Sequence, residues 1–406
     1  MPGDPMSTPI DEFLPDLRAG KMVLLIDEEE GDGALCLAAE RVTAQAVNFL
    51  AGQARGLVSV ALTEGRMRHL GIPLLAAPSR TGQPAYGASI EARHGVTTGI
   101  SAADRARTIA VTVADGAGPA DLAMPGHVVP IQVQRGGVLA RMRHPEGAVD
   151  LMRLAGLKPA AVLCTVLCED GSVARAEDLA TLAREHGIKT ATLAQLAAHR
   201  LRSELLVERT LEADFTSASG GKYRAIVYRN AVDRHEHMAL VKGTPRAAEP
   251  MLVRVHSQCL TGDVFGSERC DCGDQLRRAM ELIETLGQGV IVYMHQEGRG
   301  IGLANKIRAY ALQDRGRDTV EANLELGFEE DLRDYGISAQ ILRDLGVRRV
   351  RLLTNNPRKV LGLQEYGVEV VERLPLEVPA RSGNIAYLRT KQQKLGHLFS
   401  GLKLIS

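Results

Sequence analysis

Apolar and polar positions change period along the chain, and the change predicts its elements. From residue 251 onward short apolar runs alternate with helical spacing: MLVRVHS reads as a strand, and Leu276, Met280, Ile283 and Leu286 form one face of a helix from Gln275 to Leu286, with Gly287 as C-cap. VIVYM follows as a buried strand, then a helix from about Leu303 to Gln313 closed by Gly316, and another that starts after Ser338 and stops at Gly346. VRLLT, the PRKVLGLQEYG helix and VEVVE complete an α/β alternation. Ahead of them, KYRAIVYRN and HMALVKG alternate as strands do. In the first half, LLI near Leu24, GLVSVALT and AAVLCTVL read as buried strands, while Glu40 to Leu50 and Glu146 to Leu157 have helical spacing. The pattern predicts an α/β (mixed α+β) chain of two domains, 1–202 and 203–406, each a mixed sheet with packed helices. The junction, near Arg200 to Val207, lacks Pro and Gly and predicts a short helical connection.

Length and charge narrow the possible functions. A chain of 406 residues is long enough for two cores. Lys plus Arg and Asp plus Glu are 49 each, so there is no global basic field for nucleic acid, and an anionic ligand needs a local cluster of cations. Aromatic residues make up 3% with no Trp, which argues against stacking on single strands. No signal peptide and no run of about 18 apolar residues is found, so no membrane partner is expected. The six cysteines fit a reducing cytoplasm.

Three of those cysteines lie in RVHSQCLTGDVFGSERCDCG (254–273): Cys259, then Cys270 and Cys272. Three thiolates hold a zinc ion and leave its fourth position free; with His256 or a distant residue as fourth ligand the site is a closed structural one. Spacing alone leaves both readings open, but Arg254, His256, Ser257, Thr261 and Asp263 crowd the thiols with more polar groups than a structural knuckle needs. Downstream, HQEGRGIGLANKIRAYALQDRGRDTVEAN (295–323) joins a glycine turn (Gly298, Gly300, Gly302) to Arg299, Lys306, Arg308, Arg315 and Arg317, a pattern suited to phosphate, with Arg299 and Arg308 as bidentate grips. Asp331 and Arg333 in GFEEDLRDYG read as solvated surface on their own, and Thr354 and Lys359 in LLTNNPRKV stand where a strand gives way to a helix.

These motifs, in this order over about residues 205–399, resemble GTP cyclohydrolase II, the zinc enzyme that opens the riboflavin pathway. The resemblance implies Cys259, Cys270 and Cys272 as zinc ligands, and Arg254, Val255, His256, Ser257, Gln258, Gln275, Glu297, Gly298, Arg299, Thr319, Thr354 and Lys359 as the GTP site. It implies Asp331 as proton acceptor, Arg333 as the nucleophile toward the α-phosphorus or as a stabiliser of phosphoryl charge, and Tyr310 as acid/base partner, with Mg²⁺ neutralising the triphosphate and a homodimer as the assembly. Two positions depart from the family: Gln258 stands for its usual Glu and His295 for its usual Arg.

Residues 1–200 resemble 3,4-dihydroxy-2-butanone 4-phosphate synthase through HGVTTGISAADRARTI, PGHVVPIQVQRGGVLAR and AVDLMRLAGLKPAAVLC. The family's acidic loop, DDEDRENEGD, here reads LIDEEEGDGA (25–34). Its metal-binding Glu survives as Glu30, while an Arg has become Glu29 and an Asp has become Ala34. Its GHTE run reads Arg143-His144-Pro145-Glu146, keeping the second metal ligand His144, and its Glu after VLC is Thr165. The stretch between Tyr86 and Ile90 is also shorter than the family's. The expectation is a fused riboflavin protein whose first half has lost the synthase reaction and serves as scaffold or dimerisation unit, so that Glu30 and His144 are vestigial metal positions; the alternatives are a fully bifunctional enzyme that also makes 3,4-dihydroxy-2-butanone 4-phosphate and a GTP-binding regulator without turnover.

Overall fold

The structure is a computed structural model, and it describes residues 8–76, 84–218, 221–232, 235–328, 335–381, 383–394 and 396–399. The chain divides into two compact units, Met1–Arg200 and Leu201–Ser406, each built on one mixed sheet of packed strands and helices, as the alternation predicts. Among the described residues no helix is long and apolar enough to cross a membrane.

In the first unit the strands are β1 (Val23–Asp27), β2 (Asp32–Ala38), β3 (Ser59–Thr63), β4 (Ala85–Tyr86), β5 (Ile90–Ala92), β6 (Leu122–Val133), β7 (Ala160–Thr165) and β8 (Lys189–Thr192). They lie in the order β4-β6-β3-β7-β2-β1-β8, with β5 also on β6. Side chains alternate between two cores. Leu24, Leu35, Leu37, Val60 and Leu62 enter one, and Val23, Leu25, Cys36, Ala38 and Ala61 enter the other. A sheet covered on both faces explains why these strands read as continuous apolar runs. Helices Ala44–Phe49 and Ala102–Val113 cover the first face, and Leu14–Arg18, His144–Leu154 and Leu193–Ser203 the second.

The helix expected over Glu40 to Leu50 starts later. Thr43 accepts from Ala46 N and caps it, and a π turn, Leu50–Ala54, extends it to Arg55. The connection near Arg200 is helical, as the absence of Pro and Gly predicts, and the helix runs to Ser203.

In the second unit the strands are β9 (Val207–Ser217), β10 (Gly221–Asn230), β11 (Glu236–Lys242), β12 (Met251–Ser257), β13 (Gly289–Met294), β14 (Arg349–Leu353) and β15 (Glu369–Leu374), in the order β15-β14-β12-β13-β11-β10-β9. The periodicity misses β9, an edge strand whose residues are mostly exposed and so carry little apolar pattern. β12 pairs in parallel with β13 on one side and β14 on the other. The chain runs on from β12 to β13 on one side and from β14 to β15 on the other, and at such a switch point between β12 and β14 a crevice opens beyond the strands' carboxyl ends. The cysteine run begins there.

A buried ion pair ties the helix Leu193–Ser203 to the helix His144–Leu154 on the same face of the sheet. Asp150, 1% exposed, accepts from Arg200 Nη1 at 2.7 Å and Val138 N at 2.8 Å. Removing one partner of such a pair leaves the other buried without its counter-charge. Asp150→Ala is expected to destabilise this unit by about 3–5 kcal/mol in urea unfolding followed by circular dichroism; a loss near zero would show the pair to be dispensable.

Candidate active site

The three thiols meet where two glycines make room. After β12 the backbone turns through a short helix, Leu260–Asp263, and the helix Cys272–Leu286 starts beside it. A Cβ on Gly262 would lie 2.8 Å from Cys270 Sγ and 3.1 Å from Cys259 Sγ, and one on Gly273 would lie 2.2 Å from the Gly262 carbonyl oxygen. Glycine is thus required at both positions on steric grounds. The three sulfurs lie within 4.8 Å of one another, with Cys259 and Cys270 Sγ 3.6 Å apart. Sulfurs bound to one tetrahedral zinc at about 2.3 Å stand about 3.8 Å apart, so the donor set and its spacing fit zinc.

Hydrogen bonds fix the first thiol. Asp263 accepts from Cys259 N at 3.0 Å, from His256 Nε2 at 3.1 Å and from Tyr293 OH at 2.8 Å. His256 Nε2 is turned to that carboxylate and not to the sulfurs; burial holds its pKa down, against the pull of Asp263. Lys306 donates to Cys259 Sγ at 3.0 Å and to Glu297 Oε1 at 2.7 Å, while Glu297 Oε2 accepts from Leu260 N at 2.7 Å. The neighbouring Cys270 and Cys272 thiols, with Lys306 behind them, hold Cys259 well below the usual thiol range. Burial opposes the charge of Lys306, but Glu297 and Cys259 outweigh it and raise its pKa.

A second chain of bonds runs behind the other two thiols. Asp271, between them in sequence, accepts from Lys391 Nζ at 2.7 Å and from Gln275 Nε2 at 2.6 Å. Gln275 Oε1 accepts in turn from Arg254 Nη2 at 2.8 Å, and Arg254 Nη1 donates to the Leu353 carbonyl at 3.0 Å. Both carboxylate oxygens and both ends of the amide are committed, so the helix carrying Cys272 is held to β12, β14 and the helix Ile385–Gln393.

One cavity opens over the sulfurs. Of the residues expected there, Arg254, His256, Ser257, Gln258, Cys259, Cys270, Cys272, Gln275, Gly298, Tyr310, Thr319, Thr354 and Lys359 line it. Among the described residues, five cations, Arg254, Arg269, Lys306, Lys359 and Lys391, face it and no carboxylate does. A chain of zero net charge thus gathers its cations locally, as an anionic ligand requires. Ser257 Oγ and Gln258 Oε1 are buried without a hydrogen-bond partner, and a ligand that donates would satisfy both. Tyr310 OH lies 3.1 Å from Thr261 Oγ1, and burial raises its pKa, so it keeps its proton near neutrality.

Other expected residues are placed differently. Val255 is buried and contributes its carbonyl, which accepts from Lys359 Nζ at 2.8 Å. Glu297 stands behind the wall, holding Lys306 and the Leu260 amide. Arg308 does not reach the cavity: it is exposed and donates to Asn305 Oδ1 at 2.8 Å, since its position on the helix Gly302–Gln313 turns it away. His295 is exposed beside His235, with ring centroids 4.5 Å apart, and lies off the wall. Asn356 accepts from Arg358 N and Pro357 opens the helix Pro357–Glu365, so TNNP serves as a helix entry while Thr354 and Lys359 reach the cavity. Asp331 and Arg333 lie outside the described residues, as does the side chain of Arg299. Sequence reasoning overlooked Lys391, which follows no motif and arrives from a helix about 120 residues beyond Asp271.

The fold and this cavity define a two-domain chain whose second unit is of the GTP cyclohydrolase II type. The family model for GTP cyclohydrolase II matches residues 208–375, and that for 3,4-dihydroxy-2-butanone 4-phosphate synthase matches residues 11–199. The chain belongs to the family of riboflavin biosynthesis proteins named RibBA: it is 50% identical to the Synechocystis sp. protein of that name over 395 residues (96% of this chain, 71% of that one). It is 49% identical to the protein of that name from Chlorobium phaeovibrioides, with 96% of each covered, and 49% identical to that from Aquifex aeolicus, with 96% of this chain and 97% of that one covered. A crystal structure described as RibBX, a two-domain 3,4-dihydroxy-2-butanone 4-phosphate synthase from A. baumannii, superposes with a TM-score of 0.71 at 34% identity, covering 91% of this chain and 100% of that one.

Gly262→Val tests the steric argument. It is expected to lower bound zinc from about one per chain to near zero after dialysis, read by atomic absorption, with the far-ultraviolet circular dichroism unchanged; full zinc in the variant would show that the thiols close without that space.

Proposed function

We propose that the second unit is a zinc-dependent GTP cyclohydrolase II, converting GTP to 2,5-diamino-6-(ribosylamino)-4(3H)-pyrimidinone 5'-phosphate, formate and pyrophosphate. The observation that carries this reading is the cavity itself: three thiols at zinc spacing at one place, five cations around it and unpaired buried acceptors beside it. Cys259, Cys270 and Cys272 would hold zinc, which when bound supplies a Lewis acid that brings the pKa of water toward neutrality. Arg254 and Lys359 are positioned for phosphate oxygens, with Mg²⁺ accompanying the triphosphate. Gln258 and Ser257 offer acceptors to the N–H groups of guanine. Tyr310 acts as proton donor when the ring opens, because burial keeps its hydroxyl protonated. Asp331 and Arg333 are assigned to the proton transfer and the α-phosphorus by family likeness alone. Assembly as a homodimer is part of the same proposal, supported by Leu211 and Phe215 exposed on the edge strand β9.

A second reading concerns the first unit, which we propose no longer makes 3,4-dihydroxy-2-butanone 4-phosphate. The comparisons lend this no support, since the synthase model spans that unit and the relatives carry both domains. Its support is local. Ala34 and Thr165, at positions where the family has carboxylates, are cross-strand partners on β2 and β7, so both acids are missing from one spot. Glu146 of the former GHTE run is buried against Arg141 and Gln134 N, a structural role. The residues around Glu30 do not fit Mg²⁺, because Arg143 Nη1 stands 2.7 Å from Glu30 Oε1.

Two assays check these readings. Zinc-loaded protein given GTP is expected to release formate and pyrophosphate, and Cys270→Ser to abolish the formate; neither product from the zinc-loaded wild type would overturn the first reading. Ribulose 5-phosphate with Mg²⁺ is expected to yield no formate; turnover abolished by His144→Ala would overturn the second.

A further inference from the structure

The loop between β1 and β2 gathers Asp27, Glu30 and Asp32 at the N-terminus of the helix His144–Leu154. Arg143, the N-cap residue of that helix, lies among them. Its Nη1 donates to Asp27 Oδ2 at 3.1 Å and pairs with Glu30 Oε1 at 2.7 Å, so one nitrogen stands between two carboxylates as a cation would. The Asp27 side chain is 3% exposed, and its other oxygen accepts from Glu29 N at 3.1 Å and Glu30 N at 3.2 Å. The loop is therefore folded around Asp27, and its buried charge is met by Arg143.

Beside this pair, two further groups face each other unsatisfied. His144 Nε2 and Asp32 Oδ1 are 3.8 Å apart, both buried, and neither has a hydrogen-bond partner. A ring nitrogen and carboxylate oxygens converging on one spot is a donor set for a divalent cation. A guanidinium stays charged and takes part in no exchange with solvent ions. With Arg143 seated on Asp27 and Glu30, an incoming divalent ion meets a fixed positive charge where it needs two oxygens.

We propose that Arg143 is an internal cation standing in for a divalent metal between Asp27 and Glu30, and that removing it opens a metal site formed by Asp27, Glu30, Asp32 and His144. The proposal rests on the second reading above, that the first unit does not run the synthase reaction, and adds the physical device. The backbone of Arg143 is extended, at φ −139° and ψ 158°, which glycine adopts freely, so the substitution that tests it adds no backbone strain.

The probe is Mn²⁺, titrated by electron paramagnetic resonance into the full-length chain with its cysteine site filled by Zn²⁺ and no nucleotide present. Wild type is expected to show no Mn²⁺ site that His144→Ala removes. Arg143→Gly is expected to gain one Mn²⁺ per chain with affinity about 10- to 100-fold above the wild-type background, and Arg143→Gly with His144→Ala to lose it. Arg143→Gln, which keeps the bulk and drops the charge, serves if the glycine variant does not fold, and is expected to gain the same site. A folded Arg143→Gly or Arg143→Gln protein with no added Mn²⁺ site overturns the proposal. So does a wild-type protein that binds Mn²⁺ through His144; without turnover of ribulose 5-phosphate, that result would leave the second reading standing, since Ala34 and Thr165 account for the loss by themselves.

Discussion

Negative charge buried in a protein needs a cation against it, and the chemistry of both units is arranged around that need. In the second unit three sulfurs are brought close enough to share one ion, which three thiolates free of any cation would resist. Lys306 stands against Cys259 on one side, and Lys391 neutralises Asp271 between the other two thiols. In the first unit the carboxylates of the β1–β2 loop are met by Arg143. Each site is legible only as a balance of charge.

The scaffold of the thiol site follows from this constraint. A loop of polar residues at the carboxyl end of β12 has little apolar surface to hold it, so hydrogen bonds must fix it. Asp263 gathers the Cys259 amide, His256 and Tyr293, and Glu297 takes the Leu260 amide. The Arg254–Gln275–Asp271–Lys391 chain does the same for the helix that carries Cys272. Such a network is costly when partly satisfied and rigid when complete. Rigid placement of the sulfurs is what a metal with a free coordination position requires. Side chains outside the cavity lining, Asp263 and Asp271 above all, therefore matter to the site as much as those that line it.

Much of this was legible in the chain. Strands buried on both faces announce themselves as apolar runs, and helices between them by their caps, so the two-domain α/β architecture follows from pattern alone; β9 escaped because an exposed edge strand has little to bury. The three cysteines and the glycine turn were visible as local spacing. What spacing cannot carry is long-range partnership. Nothing near Lys391 in sequence points to Asp271, and the choice between Lys306, which reaches the cavity, and Arg308, two residues on, depends on how the helix Gly302–Gln313 is turned. In the first half, the sequence displayed altered positions one by one. Only the fold makes Ala34 and Thr165 neighbours, and only the fold seats Arg143 on Glu30.

On the readings proposed above, the two units meet one requirement with different means, and the difference decides what each can do. An ion held by three sulfurs leaves a coordination position open, and a Lewis acid with an open position is a reagent. A guanidinium has no vacant orbital to offer and stays protonated, so it can order carboxylates but cannot polarise a bound carbonyl as a metal does. Exchanging a metal for an arginine therefore keeps the electrostatics of a fold while removing its catalysis. On this argument the acidic loop of the first unit stays ordered whether or not divalent ions are available, while the thiol site of the second needs its ion to act.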